Sequence, residues 1–157
     1  MLVVLILCIF LGLSGAGYAA ETAVDTPAMH FTVAEWAYEV RGFDDYDPNH
    51  SGEFKRGERG YAYLVIADFG VAEQDQLYLL RLTVDVALET RSGLRLFFEK
   101  DVLELEEWYI EPPESTWFYI YVDIPWWAPR GVYQTVITVR DGITNRVLEE
   151  KREIMVK

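Results

Sequence analysis

The stretch Asp47-Pro48-Asn49-His50-Ser51-Gly52-Glu53-Phe54-Lys55-Arg56-Gly57-Glu58 carries oxygen-bearing side chains at alternate positions. Asp47, Asn49 and Ser51 stand at places one, three and five of a twelve-residue calcium loop, Gly52 at six and Glu58 at twelve. Alternating oxygens can wrap a hard cation, glycine permits the sharp turn, and a last carboxylate closes the shell with two oxygens. Such a loop needs flanking helices, however, and a strand follows this one. Pro48 and Gly57 fit it poorly, and Lys55 and Arg56 place two positive charges inside it. The expectation is a polar inter-strand loop and no cofactor, calcium being the one ion these residues could take.

A second grouping is aromatic. In residues 115–124 Phe118, Ile120, Val122 and Ile124 alternate with Trp117, Tyr119, Tyr121 and Asp123. On a strand, Trp117, Tyr119 and Tyr121 would lie about 7 Å apart along one face. Such a row can stack on sugar rings or anchor a protein partner. The competing reading is that a loop or neighbouring side chains cover it. Trp126 and Trp127, between Pro125 and Pro129, extend the group; in extended backbone one points to the core and the other to the rim. A third grouping is acidic: Glu99, Asp101, Glu104, Glu106, Glu107, Glu111 and Glu114, opposed only by Lys100. It reads as a solvated edge that discourages strand-to-strand association, and alternatively as a docking surface for a basic partner.

Support for catalysis is thin. His30 and His50 are the only histidines and stand in no triad or metal spacing. Beyond residue 20 the serines are Ser51, Ser92 and Ser115, none in a nucleophile elbow. The glycines are scattered at turns rather than gathered in a phosphate loop. The expectation is a protein that is not an enzyme.

The elements that must position these groups are strands. Leu77 to Glu89 alternates with period two: Tyr78, Leu80, Leu82, Val84, Val86 and Leu88 on one face, Arg81, Thr83 and Asp85 on the other. Arg91-Ser92-Gly93 turns the chain, and Leu94, Leu96 and Phe98 resume the alternation. Residues 31–40, 61–69, 115–124, 131–140 and 144–156 read as further strands, with Asp141-Gly142 as a hairpin turn. Residues 99–107 are the one candidate for a short helix. About seven strands separated by turn signals indicate an all-β, antiparallel β-sandwich. Its expected core draws on Leu80, Leu82, Val84, Val86, Leu96, Phe98, Phe118, Ile120, Val122, Tyr133, Ile137 and Val139.

The chain begins with a different texture. Leu2 to Leu11 is unbroken apolar sequence, followed by Gly12, Ser14, Gly15, Ala16, Gly17, Ala19 and Ala20, with no charge in the first twenty residues. That is the layout of a signal peptide over residues 1–20, although its start lacks a basic residue. A flexible leader over 21–28 and one β-sandwich domain over 29–157 follow. The expected location is periplasmic or secreted, with no membrane span after cleavage. Cys8, the only cysteine, lies in the apolar run, so the exported chain can form no disulfide or thiolate site. A net charge of −12 opposes binding to nucleic acid or anionic lipid.

Pro129-Arg130-Gly131-Val132-Tyr133, leading into an alternating strand and Asp141-Gly142, resembles the approach to the tyrosine corner of immunoglobulin-like and fibronectin type III-like sandwiches. Phe54-Lys55-Arg56-Gly57-Glu58 is similar to the lead-in to the second strand of such modules in secreted bacterial proteins. The paired cysteines of true immunoglobulin domains are missing. The resemblance implies an immunoglobulin-like fold, a tyrosine hydroxyl bonded to upstream backbone, and binding or scaffolding rather than catalysis. The expected function is an exported, non-catalytic binding or scaffolding module of the cell envelope with a protein partner. Its binding residues would be Trp117, Tyr119, Tyr121, Trp126 and Trp127. A carbohydrate-binding module and a protein inhibitor of an exported hydrolase are the alternatives.

Overall fold

The computed structural model describes residues 28–157. The expected signal peptide, and all but Ala28 of the leader, lie outside the described residues. Ten strands follow: β1 (His30–Gly42), β2 (Asp45–Pro48), β3 (Glu53–Phe54), β4 (Arg59–Ala67), β5 (Ala72–Gln74), β6 (Leu77–Thr90), β7 (Arg95–Tyr109), β8 (Ser115–Asp123), β9 (Gly131–Asp141) and β10 (Val147–Val156). One sheet has the order β2-β1-β4-β8. The other runs β3-β10-β9-β6-β5, with β7 on β6. All pairings are antiparallel except β3 with β10. The fold is an immunoglobulin-like β-sandwich.

Period-two patterning makes the core. Leu64, Ile66, Trp36 and Phe118 from the first sheet meet Leu80, Leu82, Val84, Ile137, Val139 and Ile154 from the second. Burying such side chains contributes about 2 kcal/mol each, and this is what holds a domain without cross-links. Trp36 pins the sheets together. Its ring meets Phe54 edge-on at 5.9 Å and its Nε1–H donates to the Glu153 carbonyl at 2.9 Å. Phe54 also explains Gly60, because a Cβ there would lie 2.9 Å from the Phe54 ring. The tyrosine corner is present: the Tyr133 hydroxyl donates to the Pro129 carbonyl at 2.8 Å.

Four expectations are corrected. The strand number is ten, because β2, β3 and β5 have four residues or fewer and show no readable period. Residues 99–107 are strand, not helix: Leu103 and Leu105 pair with Val84 and Leu82, and this pairing outweighs the helical preference of Glu and Leu. Leu96 and Phe98 are half exposed rather than core. Among the described residues β7 has a neighbour on one edge only, and its register against β6 slips at Leu96. Val86, Ile120, Val122 and Tyr133 are partly buried rather than sealed in the core.

Two acids that read as surface residues are buried. Asp85 lies on the polar face of β6, under the irregular stretch of β7 around Asp101. Its carboxylate accepts from Arg140 and from the Asp101 N–H at 2.9 Å. The Arg140 guanidinium, acting against burial, holds the Asp85 carboxyl below the usual range. Asp141 organises the β9–β10 turn. It accepts from the N–H groups of Gly70 (2.7 Å), Ile143 (2.8 Å) and Thr144 (3.1 Å), and from the Thr144 hydroxyl. Burial pushes this carboxyl up, but the donors together win and hold it below the usual range.

Candidate functional site

β4 sends Ala62, Leu64 and Ile66 into the core, so Arg59, Tyr61, Tyr63 and Val65 take the opposite face. Its register with β8 sets Tyr61 opposite Tyr121, Tyr63 opposite Tyr119 and Val65 opposite Trp117. The rings of this face touch. Tyr61 lies 6.0 Å from Tyr119 and 6.2 Å from Tyr121, and Tyr63 lies 5.9 Å from Trp117. Two strands thus build one aromatic layer, each such cross-strand pair contributing a few tenths of a kcal/mol to about 1 kcal/mol.

The β1–β2 hairpin covers one end of that layer. Phe43 lies 6.2 Å from Trp117, and Tyr46 stacks on Tyr63 at 4.1 Å. The Asp44 N–H donates to the Tyr63 hydroxyl at 3.1 Å, and the Tyr46 hydroxyl donates to Glu35 at 3.0 Å. Burial, helped by Glu35, pushes the Tyr46 hydroxyl up to about 12. Trp117 is therefore partly buried and belongs as much to the fold as to any surface. The other end stays open: Tyr119 is 42% and Tyr121 57% exposed. The Arg59 guanidinium lies 4.1 Å from the centre of the Tyr121 ring, held there by two hydrogen bonds to Asp123 at 2.6 and 2.9 Å. That pairing keeps the Asp123 carboxyl below its usual range.

Just past β8 the Ala128 N–H donates to the Pro125 carbonyl at 3.0 Å, closing a four-residue turn. Trp126 and Trp127 are its central residues, 77% and 64% exposed. The expectation of one core and one rim tryptophan is corrected: the backbone turns here instead of running extended, so neither ring reaches the core.

The residues of the Asp47–Glu58 stretch are occupied with the fold. Asp47 pairs with Arg41 (3.1 and 3.2 Å), and Glu58 accepts from the Lys55 N–H (2.8 Å). Asn49 is buried; its amide donates to the Glu53 carbonyl and its oxygen accepts from Ser51. Gly52 is in the left-handed region, where a Cβ would meet the Glu153 carbonyl at 3.1 Å. Asn49 and Ser51 are brought together, but Asp47 and Glu58 are turned to other partners. Among the described residues no group of three or more His, Cys, Asp or Glu could hold a metal ion.

The acidic residues Glu99 to Glu107 line β7, an edge strand. His30 hydrogen-bonds to the Ala28 carbonyl and lies 3.2 Å from Asp68, while His50 is exposed in the β2–β3 turn. Tyr61 and Arg59 are surface residues that sequence reasoning missed, and Asp123, read on the aromatic face of β8, was given no role there. The signal for Tyr61 was present: Tyr61-Ala62-Tyr63 repeats the spacing of Tyr119-Ile120-Tyr121.

No protein-family profile matches the chain, and no curated protein is similar to it in sequence. Its fold is similar to that of the C-terminal domain of wzt: TM-score 0.51, 9% identity, 82% of this chain and 73% of that one covered. An immunoglobulin-like protein from Pseudomonas aeruginosa aligns with TM-score 0.43 and 11% identity, over 85% of this chain and 99% of that one. A family 123 glycoside hydrolase from Clostridium perfringens aligns with TM-score 0.45 and 11% identity over 67% of this chain, which spans only 23% of the hydrolase.

Proposed function

We propose that the protein is an exported, non-catalytic binding module of the cell envelope, periplasmic or secreted, that holds a protein partner. It would do so through the open end of the aromatic layer, Tyr61, Tyr119 and Tyr121, and through the Trp126–Trp127 turn. The observation that carries this reading is the exposure of Tyr119, Tyr121, Trp126 and Trp127, with an arginine fixed by Asp123 lying over the Tyr121 ring. Tyr, Trp and Arg are the residues that dominate protein-binding surfaces. The Leu2–Leu11 run and the small residues after it support export. A sugar platform is the weaker reading, because Tyr61 is tilted 59° and 55° against Tyr119 and Tyr121 and these rings form ridges, not a plane.

The test is capture from envelope and secreted fractions by the purified protein and by Tyr121→Ala and Trp126→Ala/Trp127→Ala variants. A discrete protein retained by the parent and lost by the variants, with unchanged melting temperature, is the expected result. Glycan retention instead would replace the protein partner by a carbohydrate. Inhibition of a captured hydrolase would make the module an inhibitor, and retention of neither protein nor glycan would overturn the reading.

A further inference from the structure

Among the described residues the other open edges are blunted. The stretch of β10 that β3 leaves uncovered carries Glu149, Glu150, Lys151, Arg152 and Glu153, and the start of β1 that β2 leaves uncovered slips in register between Phe31 and Val33. β2 has four residues and carries Asp45, Asp47 and Pro48; β3 and β5 are shorter still. β7 is long, but its register slips twice and Glu99, Asp101, Glu104, Glu106 and Glu107 lie along it. Short strands, bulges and charges are how proteins keep sheet edges from pairing. β8 has none of these devices. Among the described residues it pairs with β4 alone, in unbroken register over nine residues, and it carries no charge from Ser115 to Val122 in a chain with 26 acids. An even edge of this kind presents a regular ladder of backbone donors and acceptors.

We infer that β8 is the edge through which two copies of this chain pair, antiparallel about Tyr119, joining their four-stranded sheets into one of eight strands. The strand is complementary to itself in that register. Tyr119 meets Tyr119 of the second copy, Phe118 meets Ile120, Trp117 meets Tyr121 and Thr116 meets Val122. Aromatic and β-branched cross-strand pairs of this kind favour a sheet. Charge complementarity points to the same occupant. Asp123 is the only ionisable carboxylate in the strand and is paired with Arg59. Antiparallel pairing sets it opposite Ser115, whose hydroxyl can donate to it; parallel pairing in register would set the two Asp123 side by side. An uncharged edge offers an acidic or basic partner strand nothing to read, while a second copy supplies the matching apolar row. The pairing uses the strand's edge and leaves the aromatic face open, so it does not depend on the partner proposed above.

Sedimentation velocity of the purified protein tests it, with Tyr119→Lys as the variant. Tyr119 is exposed, so the variant keeps its fold by circular dichroism, and two lysines then face each other at the two-fold axis. The expected result is a concentration-dependent dimer whose dissociation constant rises about tenfold or more in the variant. A second measurement reads the register. In a Cys8→Ala chain, Tyr119→Cys should oxidise to a covalent dimer, because opposed Cβ atoms lie about 4.5–5.5 Å apart. Ser115→Cys should not, its two copies being about 27 Å apart in this register. A parent monomeric up to its solubility limit, a dimer unaffected by Tyr119→Lys, or cross-linking by Ser115→Cys alone would each overturn the inference.

Discussion

A carboxylate surrounded by backbone donors, as Asp141 is, leaves them all unsatisfied when it is removed. Asp141→Ala exposes the Gly70, Ile143 and Thr144 N–H groups to that fate. It should destabilise the domain by about 3 kcal/mol, read from urea unfolding. Asp85 and Asp141 both titrate below the usual range in the folded protein. Their stabilisation is therefore complete above the unfolded value of about 3.9 and is lost as pH falls through the lower folded values. The urea midpoint should be flat from neutral to about pH 5 and drop steeply below about pH 4. Tyr133→Phe, which deletes the bond to Pro129, should cost about 1 kcal/mol. Tyr133 was legible in the sequence because its motif is local. Asp141 was not: beside Gly142 it looks like any turn residue, and its burial depends on Gly70, far away along the chain.

At the scale of elements, the long strands were legible where one face is buried and the other wet, as in β6 and β8. β7 was misread because an edge strand covered with Glu shows the sheet pattern only through Leu103 and Leu105. Its acids carry a consequence: Glu104→Val/Glu106→Val should not lower the melting temperature, but should raise light scattering on storage, since the strand loses charges that repel edge partners. The β2–β3 loop behaves differently from its calcium-like spacing. Asp47 and Glu58 are spent on Arg41 and on the Lys55 N–H, so adding calcium or a chelator should leave the melting temperature unchanged. A rise of several degrees with calcium would show that these partners exchange for the ion.

For the molecule as a whole, the sandwich and the aromatic row of β8 could be read from alternation, but the row's division into a covered and an open part could not. That division comes from the β1–β2 hairpin laying Phe43 and Tyr46 over Trp117 and Tyr63, a contact between segments far apart in sequence.

The placing of the indoles also decides what light can report. Trp36 alone among the five tryptophans is buried, its N–H fixed to a carbonyl of the opposite sheet; Trp108, Trp126 and Trp127 face water. Intrinsic emission of the native state is thus already dominated by hydrated rings, and unfolding shifts its colour little. A soluble quencher separates the populations instead. The least quenched fraction belongs to Trp36 and follows the seam between the sheets, and Trp117 under Phe43 is quenched in part. The fully quenchable rings are Trp108 and the two of the turn, so docking at Trp126 and Trp127 is read from that last population.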